Sequence, residues 1–533
     1  MKKLSVFFLA LLLTVFSACG DNAASSSDND SLSNPNSTQT HPFSVEFEDV
    51  KDGIIRHFNH STSQISAKEG FKSMDDFYLL LPLGTVIKCD KEFFVYCYND
   101  SFALDIGTMA ASGAAMDKMT PLAVESPVIL AKTCFVRFSV KGELSDISIE
   151  IPKDSDVVPC FGNKQTLINR PTIISVAEKL DGRQNAVNYI FITDIHFGSD
   201  PESETGKLLL SQVKTAVDMA NSIDSIDFIA IGGDTTTGMY ETKSDAIKYT
   251  SMALEPLKEC KKPVLVLMGN HDDNSYHRFT YDVYYPERIL SDKDWNDNIL
   301  KVFCPDDIVK DTEYANSKYY YYDLPNKKTR IICLDALDYR AEFDSKGNIA
   351  ELPIKDPSAT NHNAKYWSGT SWWGYSEEQL AWLTREAMTA GNDWDYIFLS
   401  HMGIDTKTGC YGYATKGGSE LREILQNFSA RKADFKNNTG KILAYQFGHI
   451  HAELTYFDAE LGLWKISTAT ANPAQNSTSA LEESNITDKT LGWNILNRAE
   501  KAESKMCFDI VSADRSRVLK FAYGAGNDKT MEY

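Results

Sequence analysis

The sequence predicts two folded regions, a small all-β domain over residues 43–180 and a larger α/β domain over residues 185–533. The chain has 533 residues, too many to bury a single compact core, so more than one domain is expected. In the first region, short β-branched and aromatic runs alternate with Gly, Pro, Asn and Asp, which is typical of a β-sandwich or jelly roll. In the second region, apolar strands alternate with amphipathic helices, which indicates a sheet covered by helices.

The bulk composition is that of an ordinary globular protein with an acidic balance. Apolar residues make up 43% and aromatic residues 11% of the chain, and the formal net charge is −20 at pH 7. A protein of this charge does not attract nucleic acid or an anionic membrane surface, so both are disfavoured as general partners. One local site can still be electropositive, because a bound metal ion inverts the local potential.

The first 19 residues, MKKLSVFFLALLLTVFSAC, have the layout of a secretory signal. Two lysines precede an apolar run that is shorter than the roughly 20 residues needed to span a bilayer. The ending at Ser17, Ala18 and Cys19 resembles that of bacterial lipoprotein signals, which implies a lipidated Cys19. We therefore expect an extracytoplasmic, membrane-anchored lipoprotein, periplasmic or at the cell surface, whose contact with the membrane is the lipid anchor. The alternative is a plainly secreted protein.

Two further segments precede the α/β domain. Residues 20–42 contain mostly Ser, Asn and Asp and almost nothing apolar, so we predict a disordered tether. Residues 43–180 carry runs such as EFFVYCYND and SPVILAKTCFVRFSV, which predict the β-rich domain but leave its role open.

The cysteines do not predict a metal or redox motif. Nine of the ten cysteines lie beyond the signal, scattered and without any C-x-x-C pair, which argues against a zinc ribbon or a thioredoxin-type site. Their disulfide pairing is left open.

Polar residues follow five apolar runs of the α/β region, where strands are expected to end. The runs are NYIFIT, DFIAIG, PVLVLMG, DYIFLS and GKILAYQFG. Sites in α/β sheets are built outside the carboxyl ends of the strands, so these side chains are expected to meet at one edge. They are Asp194, His196, Asp234, Asn270, His271, Asp272, His401, His449 and His451.

These residue types match divalent metal chemistry. Two carboxylates, one amide and four imidazoles suit two ions that share one bridging carboxylate, and they are too many for one tetrahedral zinc. Asp194 with His196, and His449 with His451, stand two residues apart, and in an extended chain such pairs share a face. Glycines before Asp234, Asn270 and His449 are expected to permit sharp turns. Each motif alone also has a purely structural interpretation.

The ordered set D-x-H, G-D, G-N-H-D, a lone H and G-H-x-H resembles the calcineurin-like metallophosphoesterase superfamily over about residues 188–470. The resemblance implies a four-layer α/β/β/α sandwich with a dinuclear metal centre. It implies that one ion is held by Asp194, His196 and His451, and a second ion by Asn270, His401 and His449. Asp234 would bridge the two. His271 would act as general acid or charge stabiliser toward the phosphate, with Asp272 orienting it.

Departures from related patterns narrow the expectation. Position 196 is His and position 237 is Thr, unlike the pattern of purple acid phosphatases, and the arginine motif of protein Ser/Thr phosphatases is absent. The remaining resemblance is to secreted bacterial phosphodiesterases and acid-phosphatase-like enzymes. It implies a hydrolase of small phosphomonoesters or phosphodiesters that uses two divalent or transition metal ions, manganese, zinc or iron.

Several alternatives remain at this point. The chain could be a surface glycan- or ligand-binding lipoprotein with an inactive phosphoesterase-like domain, although a complete ligand set argues against it. A nuclease of the same superfamily fits poorly with the net charge of −20. Residues 361–376, NHNAKYWSGTSWWGYS, predict a substrate loop, with loop packing as the equal alternative for its aromatic side chains.

Overall fold

A computed structural model describes residues 40–43, 50–59, 62–74, 77–98, 116–117, 120–121, 127–153, 155, 159–162, 164–275, 286–338, 374–404, 417–475 and 506–533. The predicted signal and most of the predicted tether and substrate loop lie outside these residues. The chain divides into two compact units, residues 1–170 and 171–533. Within the part of the chain described, no helix is long and apolar enough to cross a membrane.

The first unit is built from antiparallel strands. They are β1 (Thr40–Phe43), β2 (Val50–Asn59), β3 (Thr62–Met74), β4 (Tyr78–Leu81), β5 (Val86–Lys88), β6 (Phe93–Tyr98), β7 (Met116–Asp117), β8 (Thr120–Pro121), β9 (Val128–Ile129), β10 (Cys134–Val140), β11 (Ser148–Pro152) and β12 (Cys160–Gly162). One sheet has the order β1-β11-β5-β9, and a second has the order β12-β4-β10-β3-β2 with β6 also paired to β10. Apolar side chains of both sheets, among them Ile87, Phe93 and Val136, share one buried core. The predicted strand-rich region ahead of the α/β domain is therefore confirmed.

Two features of this region differ from the sequence expectation. Strand β1 begins at Thr40, which pairs with Pro152, so the last residues assigned to the tether belong to a sheet. The end of the region assigned as β-rich forms helix α1 (Lys164–Leu180), and the division between the two units falls inside this helix. Pro171 lies in the interior of this helix, where proline removes a backbone hydrogen bond.

The second unit contains the remaining elements. Its strands are β13 (Val187–Ile192), β14 (Phe228–Ile231), β15 (Val264–Val266), β16 (Val309–Lys310), β17 (Tyr320–Leu324), β18 (Thr329–Cys333), β19 (Asp395–Leu399), β20 (Ile442–Phe447), β21 (Leu454–Asp458), β22 (Leu463–Ser467), β23 (Cys507–Ala513), β24 (Arg517–Gly524) and β25 (Lys529–Glu532). Its helices are α2 (Glu204–Ser222), α3 (Lys243–Leu254), α4 (Asp292–Trp295), α5 (Lys301–Phe303), α6 (Glu377–Trp382) and α7 (Gly418–Ser429). A π-helical turn continues α4 into α5, and another continues α6 through Leu383–Ala387.

These elements form four layers. One sheet has the order β15-β14-β13-β23-β24-β25, and the other has the order β16-β17-β18-β19-β20-β22-β21. The two sheets face each other, since the Tyr189 hydroxyl on β13 donates to Gln446 Oε1 on β20 over 2.6 Å. Helix α2 packs on β13 and β14, while Phe428 of α7 contacts Tyr396 of β19 with ring centroids 5.2 Å apart. The expected α/β/β/α sandwich is confirmed, with one apolar core shared by its layers.

The strands bring the predicted motifs to one edge of each sheet. Strands β13, β14 and β15 are parallel, with Ile192 beside Ile231 and Ile231 beside Val266, so their carboxyl ends lie side by side. In the second sheet β19 runs parallel to β20, with Leu399 beside Gln446. The polar residues that follow these five strands are therefore delivered from both sheets to a common region.

The structure describes the side chains of seven cysteines, and all seven are free thiols: Cys89, Cys97, Cys134, Cys260, Cys304, Cys333 and Cys507.

Candidate metal centre

The seven side chains predicted as ligands converge in two overlapping groups. One group offers ligand atoms that all lie within 4.8 Å of one another: Asp194, His196, Asp234 and His451. The second group meets the same distance: Asp234, His401 and His449. Asn270 adjoins the second group, because its Oδ1 lies 3.1 Å from His401 Nε2. Asp234 belongs to both groups, which is the place expected of a carboxylate shared by two ions.

The backbone presents these ligands in an unusual conformation. Five of them have positive φ angles, a region that residues other than glycine rarely adopt: Asp194 (53°), His196 (44°), Asp234 (50°), His449 (67°) and His451 (56°). Left-handed non-glycine residues cluster at functional sites, where the surrounding structure holds the strain. The two pairs of ligands therefore do not share a face by strand alternation, and the extended-chain argument for them is wrong. Turns after the strands aim them instead.

The loops that carry the ligands are hydrogen-bonded to one another. The Asp194 amide donates to the Gly233 carbonyl over 3.0 Å, and the His196 amide donates to the Asp234 carbonyl over 2.9 Å. Asp194 Oδ2 accepts from the His449 amide over 2.9 Å, so this carboxylate also secures the loop of a ligand from the other sheet.

The three glycines before the ligands act in two different ways. Gly233 has φ +91°, so it supplies the turn that a side chain would strain. Gly269 and Gly448 have no such φ and serve instead as points of close approach. A Cβ at Gly448 would lie 2.2 Å from Thr193 Oγ1, and one at Gly269 would lie 2.1 Å from the Asp234 nitrogen.

The second group is organised around a buried His401. Its Nε2 lies 3.3 Å from Asp234 Oδ2, while its Nδ1 lies 2.8 Å from the Gly232 carbonyl oxygen. Burial alone would lower the pKa of His401, but the Asp234 carboxylate raises it to about 9. Burial and the charge of His401 lower the pKa of His449 to about 3. The Asp234 carboxylate therefore favours positive charge at this position.

In the first group, burial and neighbouring charges also shift the pKa values of the donors. His451 Nε2 lies 3.2 Å from Asp194 Oδ1 and 2.9 Å from His196 Nε2. Burial would raise the pKa of Asp194, but His451 lowers it to about 2. Burial and the charge of His271 hold the pKa of His196 well below its usual range.

The donors fit divalent ions by chemistry and by spacing. Metal–nitrogen and metal–oxygen bonds of about 2.1 Å place tetrahedral ligand atoms about 3.4 Å apart, within the range of 2.9–3.9 Å found between these donors. His401 places its Nδ1 against a backbone carbonyl and its Nε2 among the other donors, the orientation that metal-binding histidines adopt. The site can therefore hold two metal ions that share Asp234.

His271 and Asp272 lie beside this cluster, but not as one hydrogen-bonded pair. His271 Nδ1 lies 2.7 Å from the Thr237 carbonyl oxygen, so this carbonyl orients the ring. The Asp272 carboxylate instead accepts from the Thr236 amide over 3.1 Å and from the Gly269 amide over 2.9 Å. The expected orienting contact is thus replaced by a carboxylate that joins the Asp234 loop to the Asn270 loop. Burial and the nearby charge of Asp234 raise the pKa of Asp272 to about 8.

The segment after β22 supports the site, and sequence reasoning missed it. The Ala471 amide donates to the Thr193 carbonyl over 2.9 Å, and Thr470 Oγ1 donates to the Asp194 carbonyl over 2.8 Å. Asn472 Nδ2 donates to the His196 carbonyl over 3.3 Å. These side chains hold backbone rather than metal, and the local sequence STATANP shows no ligand motif. Three small hydroxyl residues before an asparagine are the signal that this segment offers.

Comparison with known proteins identifies the class that these observations define. The family model for calcineurin-like phosphoesterases matches residues 187–453, half of the chain and all seven ligand positions. The chain belongs to this family, and the resemblance of its motifs is confirmed. No curated protein matches the chain.

Solved structures show more distant likenesses. A dimetal phosphatase from Danio rerio is 15% identical, with 65% of this chain and 99% of that chain covered and a TM-score of 0.43. A structure of PhoD is 10% identical, with 86% and 88% covered and a TM-score of 0.39. GAP50, the anchor in the inner membrane complex of Plasmodium, is 10% identical, with 65% and 89% covered and a TM-score of 0.35.

Proposed function

We propose that this protein hydrolyses small phosphomonoesters or phosphodiesters with two bound metal ions, outside the cytoplasm. The observation that carries the proposal is the position of Asp234, a buried carboxylate common to two groups of converging donors. Two ions that share one carboxylate form the arrangement by which many phosphatases and nucleases stabilise an in-line displacement at phosphorus.

The donor set favours manganese, zinc or iron. It combines imidazole nitrogen with carboxylate and amide oxygen and contains no thiolate. Asp194, His196 and His451 would hold one ion, Asn270, His401 and His449 the other, and Asp234 both. When bound, the ions would neutralise phosphate oxygens and lower the pKa of water.

His271 is the candidate general acid. If Nδ1 donates its proton to the Thr237 carbonyl, Nε2 is the nitrogen that faces the donors, and it lies 3.8 Å from Asp234 Oδ2. Its side chain is 14% exposed, so a substrate oxygen can reach it. An imidazolium in this place can protonate the leaving alkoxide, and general acid catalysis of this kind accelerates reactions about 10²–10⁴-fold. Asp272 contributes indirectly, by holding the two loops on either side.

The test is hydrolysis by metal-loaded protein. Chelator-treated protein is reloaded with manganese, zinc or iron, its metal content is measured, and aryl phosphomonoesters and phosphodiesters are compared as substrates. We expect turnover that requires metal and stops with chelator. Protein shown to contain two ions that cleaves neither class of ester would overturn the proposal. Preference for one class identifies the substrate type.

We further propose that Cys19 carries a lipid that anchors the protein at an extracytoplasmic membrane surface. The motivation is the signal-like sequence of residues 1–19 followed by a polar segment. Cys19→Ala is expected to release the protein from the membrane fraction and to abolish metabolic labelling with a fatty-acid analogue. Unchanged membrane association and labelling would refute the anchor.

A further inference from the structure

A chain of polar side chains crosses the interior between the two sheets and ends beside ligand-bearing loops. Its members are Tyr189, Gln446, Thr468, Asp509, Lys520, Glu453 and Asn527. All but the terminal Asn527 are buried. The surrounding interior is apolar, so this chain is a local exception in the core.

Lys520 is the centre of the chain. Its Nζ lies 2.5 Å from Glu453 Oε1 and 2.9 Å from Asp509 Oδ1, and its side chain is fully buried. On one side, the amide and Nδ2 of Asn527 donate to the two oxygens of Glu453, each over 2.9 Å. On the other side, Asp509 Oδ2 accepts from Thr468 Oγ1 over 2.7 Å.

The chain then continues to β20, the strand that precedes His449 and His451. Thr468 Oγ1 accepts from Gln446 Nε2 over 2.9 Å, and Gln446 Oε1 accepts from Tyr189 over 2.6 Å. Gln446 lies on β20, three residues before His449, and Glu453 lies two residues after His451. The loop of residues 448–453, in which His449 and His451 have positive φ angles, is therefore held at its two ends by the same chain of hydrogen bonds.

The chain also reaches the Asp194 loop through the segment that begins at Thr468. The Thr468 amide donates to the Phe447 carbonyl over 2.9 Å. Two residues further on, Thr470 Oγ1 donates to the Asp194 carbonyl over 2.8 Å. The first contact lies at the start of the loop that carries His449 and His451, and the second holds the backbone of Asp194, a ligand of the first group.

A gain in stability does not by itself explain why Lys520, Glu453 and Asp509 are buried together. Desolvation of buried charges offsets most of their attraction, and well-packed apolar residues often stabilise a core at least as well. Holding backbone in a strained conformation near a metal site is a role that apolar residues do not supply, because their contacts are not directional.

We propose that Lys520, together with Glu453 and Asp509, is a set of positioning residues for the first metal ion. By fixing the 448–453 loop and the 468–472 segment, they hold His451 and Asp194 at their donor positions. The second ion depends less on them. Of its proposed ligands only His449 lies in these segments, and His401 is fixed separately by its contact with the Gly232 carbonyl. This inference rests on the proposed two-metal site.

The test compares metal affinities in charge-neutral variants. Glu453→Gln with Asp509→Asn and Lys520→Met removes all three charges while nearly keeping side-chain size. Glu453→Gln alone is the milder variant, which leaves Lys520 paired with Asp509. The matched control is Lys465→Met with Asp458→Asn, a buried pair at 2.8 Å whose members lie on β22 and β21. His196→Ala or His401→Ala backgrounds assign each affinity to one ion.

Manganese binding is followed by calorimetric titration, and Co²⁺ absorption reports the geometry of each site. In both test variants we expect the affinity for the first ion to fall at least about tenfold, the usual effect of removing groups that orient metal ligands. The affinity for the second ion should change less. The control should keep both affinities. Parent-like affinities in Glu453→Gln and in the neutral variant, or equal losses at both sites, would overturn this inference alone. A parent protein that binds fewer than two ions would overturn the proposed function as well.

Discussion

Gly448→Ala tests how closely the two sheets must approach at the metal centre. The new Cβ would lie 2.2 Å from Thr193 Oγ1 and 2.5 Å from Asp194 Oδ2, whereas ordinary contacts begin at 3.4 Å. These atoms must retreat by about 1 Å, because a packed interior has no space to absorb a methyl group. The nearest atoms are therefore a ligand carboxylate and the hydroxyl that supports it.

The magnitude follows from what that movement breaks. Asp194 Oδ2 accepts from the His449 amide over 2.9 Å and from Thr193 Oγ1 over 2.8 Å. Hydrogen bonds to a charged group contribute about 1.5–3 kcal/mol each, and overpacking costs about 1–3 kcal/mol. We expect a loss of about 2–4 kcal/mol in unfolding free energy, with part of the strain relieved by relaxation. The affinity for the first ion should fall about 10–100-fold.

Urea unfolding in chelator and calorimetric metal titration measure the two effects separately. Gly198→Ala is the control, because a Cβ at Gly198 meets nothing within 4 Å and lies near the same ligand loop. If Gly448→Ala binds both ions with parental affinity, or if Gly198→Ala is equally damaging, close approach at Gly448 is not what positions Asp194.

Three further predictions concern other parts of the protein. His271→Ala should bind both ions but lose about 10²–10⁴-fold in turnover. Metal content and kcat are measured on the same preparation. Loss of the ions would mean that His271 is a metal ligand and not the general acid. Asp272→Ala leaves the buried amides of Thr236 and Gly269 without an acceptor, so it should lower the unfolding free energy by about 2–4 kcal/mol in urea titrations. The loss should be smaller for Asp272→Asn, which keeps one acceptor oxygen. Equal losses in the two variants would argue against the loop-joining role of Asp272. Burial and the neighbouring Asp335 raise the pKa of Asp338 to about 7. The folded state therefore binds this proton more tightly than the unfolded state, so the stabilisation is complete below about pH 4 and is lost as pH rises through 7. Asp338→Asn should flatten the fall in unfolding free energy between about pH 4 and pH 7, and an unchanged pH profile would contradict the assignment.

The sequence was sufficient for the fold class and for the membership of the metal site. Alternating apolar strands and amphipathic helices predicted the α/β domain, and the structure has this alternation, with helix α2 (Glu204–Ser222) between β13 and β14. Periodicity and strand-end motifs are local properties, so they can be read without knowing the contacts. Helix α1 was missed because the β-rich pattern of the preceding runs was extended to residue 180.

The geometry within the site required the tertiary structure. The sequence determined which side chains follow the strands, because residue type and order are written in it. Only the folded chain decided that turns with positive φ aim Asp194 and His449, that the Thr237 carbonyl orients His271, and that Asp272 joins two loops. The buried chain through Lys520 joins residues 189 and 527, which no local pattern connects. The physical reason is that motifs depend on neighbours along the chain, whereas hydrogen bonds between loops depend on neighbours in space.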